Sequence, residues 1–192
     1  MEYDFFAYLS RMRYIKRWSL MRSTVDENIM EHSDEVAVIA HALAEIGNAY
    51  FDKDYDIEKV LLYALYHESS EVITGDLPTP IKYFNKEINS AYKDLEDRAC
   101  KKLLETLPDK LKANYENYLL PDHESKEYKL VKHADKISAY IKCVLEVKSG
   151  NKEFSKAKQT IGKTLKESEA EEVGYFMKNV MPVYEKSLDE LE

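Results

Sequence analysis

Glycine and proline are scarce in this chain, five of each. Both residues interrupt regular structure, glycine through backbone freedom and proline through its missing N–H. With so few of them the chain can run through long helices with short breaks, and a turn-rich β architecture is excluded. Cysteine is scarcer still. Cys100 and Cys143 are too few for a disulfide framework and too isolated for a zinc finger, so both are expected to be reduced, buried thiols. No long apolar run exists either. The longest, Val60 to Tyr66, falls far short of the roughly 20 residues that span a bilayer. The start, Met1-Glu2-Tyr3-Asp4, carries neither a basic segment nor an apolar one, which leads us to expect a cytoplasmic protein without a membrane partner. A basic stripe is also missing. The net charge of −8 disfavours a nucleic-acid polymer as ligand. Any phosphate-bearing ligand must then be met by a local device such as a metal ion, an arginine or a helix N-terminus.

What is present fits one soluble domain spanning residues 1–192, with 44% hydrophobic and 33% charged residues. Apolar residues recur at i, i+3, i+4 and i+7 almost throughout, which is helical periodicity. The pattern predicts a first helix from about Asp4 to Tyr14, then a polar stretch from Lys16 to Asn28. A second helix is predicted from Glu31 to Asn48, with Asn28 as cap and Val36, Ile39, Ala40, Leu43 and Ile46 inward. Asp56 caps a third helix predicted from Ile57 to Val72, with Val60, Leu61, Ala64 and Leu65 inward. Thr74-Gly75-Asp76-Leu77-Pro78-Thr79-Pro80 is too rich in breakers for a helix interior and reads as an ordered loop. Further helices are predicted over 86–106, 109–119, 124–149, 153–168 and 170–189, with Gly150 as a stop. The expected fold is an all-α, single-domain multi-helix bundle.

His32, the adjacent pair His67-Glu68, and Asp135 carry the mixed nitrogen and oxygen donors that suit borderline divalent ions. Spacing alone is a weak signal. Adjacent residues on a helix diverge by ~100°, so His67 and Glu68 can share an ion only near a helix end or a local distortion. Placed beside apolar stripes, these polar groups must be paired, solvated or ligated. His41, His123 and His133 read as structural or exposed.

Taken together, the order His…His-acid…Asp, the pair Arg17-Trp18, the segment Asn28-Ile29-Met30-Glu31-His32-Ser33, the run from Thr74 to Phe84, and Ala139-Tyr140-Ile141-Lys142-Cys143 resemble the HD-domain phosphohydrolases. Within these the chain is most similar to the bacterial 5′-deoxynucleotidase branch. The resemblance implies an all-helical HD-type fold and a divalent ion of the Co, Mn, Zn or Fe class on His32, His67, Glu68 and Asp135. It implies a deoxynucleoside monophosphate as substrate and a homodimer as the assembly. Glu71 matches the acid/base residue of that family, one helical turn after His67. Arg17 matches the residue that orients the phosphate and shares in catalysis, and Trp18 the residue beside the sugar. Asp76, Leu77, Pro78 and Thr79 match the substrate-lining loop, and His32, Glu68 and Asp135 also border the substrate. Glu68 departs from the pattern, which has aspartate there. Its extra methylene either still reaches the ion or overshoots it.

These roles amount to hydrolysis of the phosphate monoester of a (deoxy)nucleoside 5′-monophosphate. Two alternatives stay open at this point: an HD nucleotide phosphodiesterase, and a metal-poor HD protein kept as a nucleotide-binding module.

Overall fold

A computed structural model describes residues 3–82 and 84–191; Met1, Glu2, Glu192 and Tyr83 of the loop motif lie outside the described residues. The described residues form helices and connecting turns, with one isolated antiparallel bridge between Lys16 and Asn28. The elements are α1 Phe5–Leu9, α2 Ile29–Tyr50, α3 Ile57–Tyr66, α4 Glu71–Thr74, α5 Thr79–Lys82, α6 Lys86–Glu105, α7 Asp109–Leu119, α8 Lys126–Lys148, α9 Ser155–Lys166 and α10 Glu171–Asn179. No helix among the described residues is long and apolar enough to cross a membrane.

Several boundaries follow from local chemistry. Asn28 accepts from the backbone N–H of Met30 and Glu31 while Glu31 returns a bond to the Asn28 N–H, a capping box worth about 0.5–2 kcal/mol. The side chains of Asp56, Asn85 and Ser125 each accept one backbone N–H at the start of α3, α6 and α8, without the reciprocal bond. Gly150 ends the α8 region at φ +89°, in the left-handed region that glycine enters freely. Both cysteines are buried and unpaired, as expected.

Three predicted helices need correction. The first helix is α-helical only to Leu9 and continues as a 3-10 turn over Ser10–Tyr14. The third stops at Tyr66 rather than running to Val72, so Glu71 opens a separate short helix instead of following His67 on one face. Leu65 is exposed and Tyr63 takes the inward position, because α3 turns a different stripe toward its neighbours. The predicted helix over 170–189 ends at Asn179, after which Pro182 stands in a 3-10 turn, Met181–Glu185. A further difference is that α5 begins inside the expected loop, at Thr79.

The main core joins α2, α3 and α8, closed by α9 and α10, through residues such as Val36, Leu43, Val60, Ile137, Ile141 and Phe176. Truncating one such fully buried Ile or Leu to alanine costs about 2–5 kcal/mol. A smaller cluster of Phe5, Cys100, Leu103, Leu104 and Leu119 holds α1, α6 and α7 together. The three helices of the main core also supply the polar residues singled out above. His32 lies in the first turns of α2, His67 and Glu68 follow the last turn of α3, and Asp135 lies midway along α8.

Candidate metal centre

The end of α3 resolves the problem of adjacent ligands. His67 terminates the helix and Glu68 enters a turn, so the two side chains need not diverge as they would inside a helix. One donor atom from each of His32, His67, Glu68 and Asp135 lies within 4.8 Å of all the others. His32 Nε2 is 3.1 Å from Asp135 Oδ1 and 3.9 Å from Glu68 Oε1, and His67 Nε2 is 3.2 Å from Glu68 Oε1. The longer glutamate places one carboxylate oxygen in this cluster.

Hydrogen bonds on the far side of each imidazole set its protonation. The hydroxyl of Ser138 donates its single proton to Glu35 Oε2 at 2.5 Å. Toward His32 Nδ1, at 3.0 Å, that oxygen can only accept, so Nδ1 carries the proton and Nε2 bears a lone pair. His67 Nδ1 faces the Ala64 carbonyl at 2.7 Å, which again can only accept. In the neutral ring the lone pair is then on Nε2, an atom that is buried and makes no hydrogen bond. Two nitrogen lone pairs and two carboxylates converging in this way repel one another unless a cation lies among them. The donor set and its orientation fit a divalent ion.

Electrostatics agree. Burial, and then the charge of Arg17, push His32 toward its neutral form, which is the form that ligates. Burial works against the charge on Asp135, yet Lys132 Nζ at 3.0 Å from Oδ2 holds the carboxyl well below the ordinary range. Without an ion, Glu68 is held low against burial only by positive charge on His67 and then His32; a divalent ion among the four groups would supply that charge with both rings neutral. Glu71 behaves oppositely. It is buried beside Glu68, and burial followed by the Glu68 and Asp76 charges raises its pKa strongly, so it keeps a proton.

Arg17 and Trp18 lie in the irregular stretch before α2. The Arg17 guanidinium is buried, and the charges acting on it are those of Glu27, Asp135, Glu68 and Asp76. Trp18 holds φ +59°, a left-handed conformation that costs a non-glycine residue about 1–2 kcal/mol. Such strain persists only where surrounding contacts over-determine it. Here the Trp18 ring lies 5.3 Å from that of Phe154, and its indole N–H donates to Glu27. Asp76 faces this segment: burial raises its pKa, while the charge of Arg17 and the Trp18 backbone lower it. Leu77 and Pro78 follow it, half-buried, on the same loop, and Thr79 is exposed at the start of α5. Gly75, at φ +71° and ψ 165°, lets the chain leave α4 into this loop.

Residue-type reasoning missed Glu27, Glu35, Ser138 and Lys132. Three of them carried a signal, since Glu35 is three residues after His32, and Lys132 and Ser138 are three either side of Asp135, hence on the same helix faces. Glu27 lies in irregular chain and gave none. His41 pairs with Glu45 at the surface and His123 stacks on Tyr128, and neither is among the four cluster residues.

A family model described as 5′-deoxynucleotidase YfbR-like matches residues 4–184. A 5′-deoxynucleotidase of Vibrio cholerae serotype O1 is 47% identical over 191 residues, covering 99% of this chain and 98% of that protein. One from Vibrio parahaemolyticus is 48% identical over 192 residues, covering 99% and 98%. Among solved structures, an HD-domain phosphohydrolase from Listeria innocua superposes with TM-score 0.83 at 24% identity, over 94% of this chain and 88% of that one. The cyanophage S-2L HD phosphohydrolase, bound to dA and one catalytic Zn2+ ion, gives TM-score 0.61 at 21% identity, over 94% and 96%. At these identities the two structures establish the shared fold.

Proposed function

The chain belongs to the YfbR-like family of 5′-deoxynucleotidases, and from that premise we propose that it is a metal-dependent phosphohydrolase releasing phosphate from deoxynucleoside 5′-monophosphates. The observation that carries this reading is the pair of Nε2 lone pairs, on His32 and His67, converging with two carboxylates. His32, His67, Glu68 and Asp135 would hold the ion, and the mixed donors suit Co, Mn, Zn or Fe. When bound, such an ion supplies charge stabilisation for the phosphoryl group and a nucleophile at neutral pH.

The chain's own residues do the rest. Arg17 grips the phosphate: one N–H of Nη1 is engaged by Glu27, while Nε and Nη2 remain able to make paired bonds to phosphoryl oxygens. Glu71, protonated and buried beside the cluster, donates a proton to the leaving 5′-oxygen. Lys132 keeps Asp135 ionised and turned toward His32. Trp18, locked by Phe154 and Glu27, is too rigid to yield to a 2′-hydroxyl and favours the deoxy sugar. Asp76, Leu77, Pro78 and Thr79 border the substrate, and two copies of the chain form the working assembly.

The decisive experiment measures phosphate release from a panel of deoxy- and ribonucleoside monophosphates and nucleotide phosphodiesters, with metal-stripped protein and after adding back each metal. Metal-dependent turnover of deoxynucleoside monophosphates is the expected result. Turnover confined to phosphodiesters, or binding without turnover under every metal, refutes the proposal. Sedimentation equilibrium tests the homodimer.

A further inference from the structure

Glu27 has no chemical part in the reaction proposed above, yet it touches both residues that recognise the substrate. A single oxygen, Oε2, accepts from Arg17 Nη1 at 3.1 Å and from Trp18 Nε1 at 3.0 Å. The Glu27 main-chain carbonyl accepts the Arg17 N–H at 2.9 Å, and the flanking Lys16–Asn28 bridge fixes the register of the two strands of chain. The other carboxylate oxygen, Oε1, lies 3.8 Å from His32 Nδ1. The Arg17 and Glu27 side chains are only 14% and 13% exposed, so bulk water offers little competition for these bonds. A buried carboxylate sharing one oxygen between a guanidinium and an indole constrains both donors at once, because neither can move without lengthening a charge-assisted bond. Trp18 is moreover held in a left-handed backbone conformation that it would abandon if released.

We propose that Glu27 is a positioning residue that fixes Arg17 and Trp18 as one unit, so that grip on the phosphate and discrimination at the sugar are coupled. The inference rests on the roles given to Arg17 and Trp18 under the proposed function. Its physical core, the clamp, is testable without turnover. Trp18 is the only tryptophan in the chain, so emission excited beyond the tyrosine absorption band reports on the clamped ring alone.

In metal-loaded protein without nucleotide, Glu27→Gln is expected to shift Trp18 emission and raise its quenching by acrylamide, with metal content unchanged. With dCMP and CMP as probes, the same variant lowers kcat/KM for both and narrows the deoxy-to-ribo ratio by roughly tenfold, the scale of a charge-assisted hydrogen bond. Trp18→Phe keeps a ring but removes the indole N–H. It is expected to narrow the ratio similarly, and the double variant Glu27→Gln/Trp18→Phe to narrow it no further. Unchanged emission and quenching in Glu27→Gln overturn the clamp. A fall in kcat/KM with the ratio intact, or additive effects on the ratio, overturn the coupling and leave Glu27 a loop-stabilising residue. If Glu27→Gln does not fold, Trp18→Phe decides alone: an unaltered ratio refutes the coupling. A wild-type protein that shows no deoxy preference refutes the sugar role of Trp18, whereas the emission experiment still reads the clamp, so the two failures are distinguishable.

Discussion

Replacing Ser138 with alanine removes one oxygen atom, and its main effect is expected on the metal rather than on the fold. In the native chain that oxygen receives the Nδ1 proton of the fully buried His32 and passes its own to Glu35. Without it, a buried N–H left unsatisfied would cost about 1–3 kcal/mol. The ring has an escape. Its proton can move to Nε2, where Asp135 Oδ1 waits at 3.1 Å to accept it. The metal-free variant should therefore unfold at nearly the wild-type temperature. Binding an ion, however, then requires the proton to leave Nε2 again, and this cost appears as lost affinity. Removing a partner that orients a ligand typically lowers affinity about 10–100-fold.

Linkage turns that factor into a measurable shift. At an ion concentration of about 100 times the wild-type Kd, binding stabilises the native state by about 2.7 kcal/mol, and the same concentration stabilises a 10- to 100-fold weaker variant by only about 1.4 to 0.4 kcal/mol. In a chain of this length each kcal/mol moves Tm by about 2–4 °C. Thermal unfolding of metal-stripped Ser138→Ala, repeated across a Mn2+ or Co2+ titration, should show a near-native starting Tm and a much reduced metal-induced rise. The opposite pattern, a lowered metal-free Tm with the full wild-type rise on adding metal, would refute the tautomer argument and make Ser138 an ordinary packing residue.

Other perturbations separate the remaining roles. Glu68→Asp withdraws by about 1.5 Å a carboxylate that now reaches the cluster, and should lower metal affinity by calorimetry; a rise would mean that the shorter side chain fits better. Glu71→Gln should leave bound metal unchanged while cutting turnover by about 10²–10⁴-fold, and undiminished phosphate release would remove Glu71 from proton transfer. Far from the cluster, the buried Glu146 accepts from Thr24, Val25, Asn151 and Lys142, anchoring the segment before α2 onto α8. Burial opposes its charge, but Lys142 and the Thr24 and Asn151 bonds hold its carboxyl well below the ordinary 4.5. A depressed native pKa means that this stability is complete above pH 4.5 and is lost as pH falls further. Urea unfolding of Glu146→Gln should show lower stability at neutral pH and a flatter decline toward acid; an unchanged acid slope would show that Glu146 titrates normally.

Where local chemistry decides, the sequence was enough. The bounds of α6, α7 and α8 come within two residues of the periodic pattern, because capping side chains and amphipathic stripes act over single turns. The four cluster residues were legible as types, histidine and carboxylate, though only family likeness joined them into one site. The end of α3 was not legible, and the reason is physical. Tyr66-His67-Glu68-Ser69-Ser70 contains no glycine or proline, and a continuous helix satisfies its local propensities. That helix would, however, turn His67 and Glu68 about 100° apart, and the His67 ring would lose its aim at His32 and Asp135. The break is therefore imposed from outside the segment, by α2 and α8 packing against α3 and by a site that needs adjacent residues on one centre. The same holds at Trp18, whose left-handed backbone no local preference would choose. Both departures from local preference lie at the groups that would meet metal and nucleotide, which is where a chain is expected to set local consistency aside for function.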